Sequence, residues 1–85
     1  MSHIKLDLHD IFNKGQAIEH ELNRVIHEAA KRGIDIVEII PGKGSGQLKK
    51  HVLRFLEQKD IKQLYKRVEK DDKNFGRVFV HMKKT

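Results

Sequence analysis

Two short stretches of this 85-residue chain carry residue types that could act on a phosphate group. The first is LDLH at positions 6–9, in which Asp7 and His9 stand two residues apart. On a strand this spacing places both side chains on one face. The carboxylate can then fix the tautomer of the imidazole for general acid–base work. Because this spacing is also common by chance, a histidine with a purely structural partner is the alternative.

The second stretch is PGKGSG at positions 41–46, which contains three of the six glycines. Pro41 lacks an N–H and would end a strand ladder, while the glycines allow positive φ and close backbone approach. If a helix follows, the free N–H groups at its N-terminus and the charge of Lys43 would favour an anion. The residue order differs from the Walker A motif. A flexible strand-to-helix connection is the alternative.

Hydrophobic periodicity predicts the elements that would position these stretches. Alternation of apolar and polar residues over 4–8 predicts a strand, and an apolar stripe over 14–32 predicts a helix that Gly33 would end. The β-branched run 34–40 predicts a second strand, and another stripe after the glycine loop predicts a second helix. The stripes comprise Ile18, Leu22, Val25, Ile26 and Ala29 in the first helix, and Leu48, Val52, Phe55 and Leu56 in the second.

The C-terminal part of the chain is less clear. Residues 60–70 fit either a helix or a strand, and we favour a strand because a turn-rich KDDKN and an alternating RVFVHM follow, as in a hairpin. The predicted order is therefore β-α-β-α-β-β, an α/β fold in which right-handed crossovers join parallel strands. If the first two strands are neighbours, LDLHD and PGKGSG share one crevice beyond their carboxyl ends.

Composition limits the class of protein. We expect one domain over 1–85 with a core at about 4–83, since the chain has no room for a second core. The net charge of +6 and the pI near 9.7 favour a polyanionic partner, nucleic acid before an anionic membrane, although a plainly solvated surface would look the same. The absence of cysteine excludes disulfides and thiolate metal sites. No signal peptide or membrane span is expected, so we predict a cytoplasmic protein.

Taken in order, the motifs resemble the Smr domain, the small MutS-related domain. The resemblance runs from Leu6 to Met82 and rests on LDLH at 6–9, a helix containing Ala17, Ile-Ile at 39–40, the glycine loop and Leu-Lys at 48–49. It implies a free-standing member with a two-layer α+β sandwich, in which two helices pack on a four-stranded mixed sheet. It also implies binding to branched DNA or to RNA, with endonuclease activity in several members.

Some positions depart from the family pattern. Asp10 stands where the family usually has glycine, and Pro41 stands where a second histidine is common. Near the C-terminus the usual glycine pair is reduced to Asn-Phe-Gly at 74–76. These departures leave the binding role intact, but Pro41 could remove a catalytic or phosphate-binding group.

The residues and the resemblance support two hypotheses. In the first, an endonuclease uses Asp7, His9 and Lys43 as catalytic residues. No cofactor and no metal ligands are expected; the sequence does not indicate Mg²⁺, but a requirement for it stays open. In the second, a non-catalytic module binds DNA, RNA or a ribosomal surface. For both we expect a monomer, although the sequence does not reveal the oligomeric state. Both use the same phosphate-binding residues, which are Gly42, Lys43, Gly44, Ser45, Gly46, Lys49, Lys50 and Arg54. A small-molecule phosphate binder fits the loop but not the spread of positive charge.

Overall fold

The computed structural model describes residues 2–8, 15–41, 47–71 and 77–83, and within these ranges it contains four strands and three helices. They run in the order β1 (His3–Asp7), α1 (Gly15–Arg32), β2 (Ile36–Ile40), α2 (Gln47–Leu56), α3 (Lys59–Lys62), β3 (Tyr65–Asp71) and β4 (Arg77–Met82). The strands form one mixed sheet in the order β1-β2-β4-β3. The predicted α+β fold class is confirmed, with the short helix α3 added.

Strand pairing follows the predicted connections. β1 and β2 are parallel neighbours with His3 opposite Ile36 and Asp7 opposite Ile40, as expected for a strand–helix–strand crossover. β4 is antiparallel to both β2 and β3, so the predicted hairpin is present. Because β4 runs against β2, it begins at the sheet edge where β1 and β2 end. β3 ends at the same edge, with Asp71 paired to Arg77.

The core lies on one side of the sheet, because alternate residues of each strand point towards the helices. The inward strand residues Leu6, Leu8, Val37, Ile39, Val78, Val80 and Met82 are all 8% exposed or less. They join the apolar stripes of α1 and α2 and the fully buried Ile61 of α3 in one cluster. The intervening strand residues face away from this core, and we name that side the outer face of the sheet.

Helix α1 ends where the glycine signal predicts. Gly33 adopts a φ of 70°, which favours glycine. The N–H of Ile34 donates to the carbonyl of Ala29 at 2.9 Å, and Ile34 is buried. This bond and the apolar residue after the glycine form a Schellman cap. The cap redirects the chain into β2, which begins at Ile36, two residues later than the predicted run.

The segment 60–70 contains both of the structures that its pattern allowed. Lys59–Lys62 is a short helix that buries Ile61, whereas the preferred strand begins at Tyr65. The Tyr65 hydroxyl donates to the Leu56 carbonyl at 2.6 Å and so ties β3 to the end of α2. A bulge between Tyr65 and Arg67 interrupts the pairing with β4. The strand preference was therefore wrong for residues 60–62 and correct from residue 65.

Among the described residues, no helix is both long enough and apolar enough to cross a lipid bilayer.

Candidate nucleic-acid interface

The ends of β1 and β2 lie side by side. Asp7 is opposite Ile40, and one residue further the N–H of Leu8 donates to the Ile40 carbonyl at 2.9 Å. Leu8 is fully buried and Pro41 is buried as well, so the core holds both chain exits in place. The segments 9–14 and 42–46 both begin from these neighbouring points. The prediction that the two strand ends are adjacent is confirmed.

The predicted catalytic residues divide between described and undescribed parts of the chain. Asp7 is exposed on the outer face, because its neighbours Leu6 and Leu8 point into the core. His9 and Lys43 lie outside the described residues, as do Gly42, Gly44, Ser45 and Gly46 of the predicted phosphate loop. The roles assigned to these residues therefore stay predictions.

Helix α2 follows the glycine loop and is strongly basic. It contains Lys49, Lys50 and Arg54 and no acidic residue over Gln47–Leu56. Lys50 and Arg54 are exposed and stand four residues apart, so they share one side of the helix, whereas Lys49 is half-buried. Two exposed cations with this spacing can contact successive phosphates of a nucleic-acid backbone.

Helix α1 lies beside α2 but does not extend the basic surface. The Arg24 Nε donates to Glu21 at 2.6 Å, and its Nη1 is 3.7 Å from Glu28. The hydrogen bond to Glu21 and the charge of that carboxylate raise the pKa of Arg24 above its usual value. Glu19 is 3.8 Å from the imidazole of His51 on α2. Glu21 and Glu28 therefore offset the charge of Arg24, whereas α2 has no acidic residue within its own bounds.

The outer face of the sheet carries an ion-pair cluster that the sequence analysis did not identify. Glu38 of β2 is 4% exposed. One of its oxygens is 3.0 Å from the His3 Nε2 of β1, and the other accepts a hydrogen bond from the Arg77 Nη1 of β4 at 2.8 Å. A second pair on this face joins the His81 Nε2 to Glu69 at 3.0 Å. The available signal was a single charged residue inside the β-branched run IVEII.

Comparisons with known proteins identify one family. The family model of the Smr domain matches residues 6–83. Among solved structures, the crystal structure of the Smr domain of Thermus thermophilus MutS2 aligns with a TM-score of 0.72 at 16% sequence identity, covering 98% of this chain and 99% of that chain. At this identity the similarity shows the fold alone. No curated protein sequence matches the chain.

Proposed function

The chain belongs to the Smr domain family, and on that premise we propose that it binds structured RNA or branched DNA and cleaves a phosphodiester bond in it. Smr domains are nucleic-acid-binding, nuclease-like modules. The observation that best supports the proposal is the parallel pairing of β1 and β2 up to Asp7 and Ile40. It brings the starts of the LDLHD and PGKGSG segments to one sheet edge, where ligands of α/β sheets commonly bind.

The proposed chemistry needs few groups. His9 acts as general acid or base and Asp7 holds its imidazole, while Lys43 offsets the negative charge that builds up in the transition state. The backbone N–H groups of residues 42–46 bind the phosphate at the start of α2. Lys49, Lys50 and Arg54 hold the flanking backbone, which the basic character of α2 supports.

RNA is the substrate for which this chemistry is simplest. Once His9 removes the proton of the 2′-hydroxyl, this oxygen can attack the adjacent phosphorus. The 2′-O–P bond forms, the P–O5′ bond breaks, and the leaving 5′-oxygen takes a proton from water. DNA has no such internal nucleophile, so its hydrolysis needs an activated water. The residues named here therefore favour RNA cleavage over DNA nicking.

A second function has one observation in its favour. Pro41 occupies a position where the family commonly has a histidine, and proline supplies neither an acid–base group nor an N–H donor. A domain with this substitution could bind nucleic acid or a ribosomal surface through the same residues without cleaving it.

A cleavage assay separates the two functions. Pure protein is incubated with labelled structured RNA and with branched DNA, each with magnesium or with EDTA. We expect His9→Ala to abolish cleavage while affinity stays within a few-fold. The matched control is His20→Ala, which removes an exposed imidazole from α1. Equal cleavage by the His9 variant would exclude its acid–base role, and binding without products from the unmodified protein would support the non-catalytic module.

A further inference from the structure

Glu38 is the one buried charged residue among the described residues, and stability alone does not account for it. Removing a carboxylate from water costs several kcal/mol unless its partners compensate, and apolar replacement of a buried ion pair is often neutral or stabilising. The neighbouring residues of β2 are all isoleucine or valine, so another β-branched residue at position 38 would suit the strand. The presence of a charge at position 38 therefore indicates that a residue paired with Glu38 has a functional role.

Its partner Arg77 lies at the proposed binding edge. Arg77 is the first residue of β4, and the antiparallel pairing with β2 runs to Ile39 opposite Val78. Arg77 therefore takes the next position, beside Ile40, while Asp7 lies on the other side of Ile40. Two interstrand spacings, about 10 Å, separate the backbones at Asp7 and Arg77. Both side chains belong to the outer face.

Glu38 holds the guanidinium group of Arg77 without using all of its donors. The salt bridge of 2.8 Å engages Nη1, and the other oxygen of Glu38 already contacts His3. The Nε–H of Arg77 is buried and has no hydrogen-bond partner. About a third of the side chain, 34%, is exposed. The group is thus fixed in place. Because the Nε–H is buried, a phosphate contact has to come from the N–H donors of the two terminal nitrogens that the bond to Glu38 leaves unused, and a guanidinium presents these donors in one plane.

We propose that Arg77, oriented by the buried Glu38, is a further phosphate-binding residue of this edge. It contacts the backbone of the bound nucleic acid across β2 from Asp7. Glu38 is a positioning residue that acts through Arg77. The inference rests on the proposed nucleic-acid binding.

The test compares four variants in a titration with labelled structured RNA, read by fluorescence anisotropy at several KCl concentrations. Arg77→Ala should weaken binding about tenfold, the size of one charge-assisted contact, and reduce the salt slope by about 0.7–0.9. Arg77→Lys should restore part of the affinity, since it keeps the charge without the fork. The RNA affinity of Glu38→Gln should lie between that of Arg77→Ala and that of the unmodified protein. Arg67→Ala is the matched control and should change affinity less than twofold.

Arg67 suits this purpose because it is also an arginine of the outer face near a carboxylate, with its Nη2 3.9 Å from Glu69. It pairs with His81 in the register, towards the opposite end of the sheet. Its removal therefore matches the loss of charge without touching the proposed edge.

The double variant Glu38→Val/Arg77→Val distinguishes phosphate binding by Arg77 from a purely structural role. It removes the buried charge together with its partner. Such a variant keeps a β-branched pair on the sheet and should fold. We expect it to bind RNA as weakly as Arg77→Ala. In the unmodified protein, the ¹⁵N signal of the Arg77 Nε–H should shift on RNA addition. Normal affinity in the double variant, an unmoved Nε–H signal, or equal loss in Arg67→Ala would each overturn the inference.

The proposed function and this inference fail in different ways. If the unmodified protein binds neither RNA nor branched DNA, both fall together. If it binds, and Lys50→Ala/Arg54→Ala weakens binding while the Arg77 variants do not, the role of Arg77 alone is refuted.

Discussion

Removing the two exposed cations of α2 should change how strongly binding depends on salt. Lys50 and Arg54 stand four residues apart on α2, which has no acidic residue. If each neutralises one phosphate, the double variant Lys50→Ala/Arg54→Ala releases two fewer counterions on binding. The plot of log K against log salt should then become shallower by about 1.8 for a duplex, or about 1.4 for a single strand.

The magnitude is large enough to measure. Between about 50 and 200 mM salt, a slope difference of about 1.8 corresponds to a roughly tenfold difference in how far affinity falls. Fluorescence anisotropy with a labelled duplex, repeated at four or five KCl concentrations, gives the slope directly. The loss of affinity should be largest at low salt and shrink as salt rises, because the missing contacts are electrostatic.

The control variant removes equal charge from elsewhere. Lys31→Ala/Arg32→Ala lowers the net charge by the same two units at the end of α1, which leads into the start of β2 and so lies at the opposite edge of the sheet. Its slope should match that of the unmodified protein. Equal slopes for both double variants would show that net charge, and not a contact surface on α2, governs binding. That result would refute the reasoning.

Three further predictions concern stability. Tyr65→Phe should lower the free energy of unfolding by about 1 kcal/mol, because the Leu56 carbonyl loses a 2.6 Å hydrogen bond. Calorimetry should show a Tm that is lower by roughly 4–8 °C. Burial and the charge of Glu57 raise the pKa of Tyr65. The stability that Tyr65 contributes is therefore present below about pH 10 and decreases as pH rises through the folded pKa. Urea titrations from pH 8 to 11 should show that decrease in the unmodified protein relative to Tyr65→Phe, and a constant difference between the two would contradict it. Gly33→Ala should lower the free energy of unfolding by about 1–2 kcal/mol through its φ of 70° alone, since no atom beyond the adjacent residues lies within 4 Å of the added Cβ. Gly33→Asn should cost less, and an unchanged urea midpoint for Gly33→Ala would contradict this assignment.

Most of the fold could be predicted from local patterns. The alternation of Ile4, Leu6 and Leu8 and the stripe of α1 specify which face is buried, and Gly33 specifies where the helix stops. The region of 57–71 could not be assigned in the same way, since its hydrophobic period changes from that of a helix to that of a strand. The bulge after Tyr65 then shifts the alternation by one residue. A single period fitted to the whole stretch could not represent both.

The candidate site shows the same division between local and non-local information. The adjacency of Asp7 and Ile40 could be predicted, because a right-handed crossover commonly joins neighbouring parallel strands. The pairing of Glu38 with Arg77 could not, since the two residues are 39 positions apart and meet only through the register of β2 with β4. No pattern near either residue sets that register.

The most direct test of a shared phosphate site at the ends of β1 and β2 is an NMR titration of the ¹⁵N-labelled protein with a short structured RNA. The amide signals of Asp7, Leu8 and Arg77 should shift together with one dissociation constant. The signals of Gly33 and Asp35, near the opposite end of β2, should stay in place. Shifts confined to that opposite end, with the amides of Asp7 and Leu8 unmoved at saturation, would contradict the proposed interface.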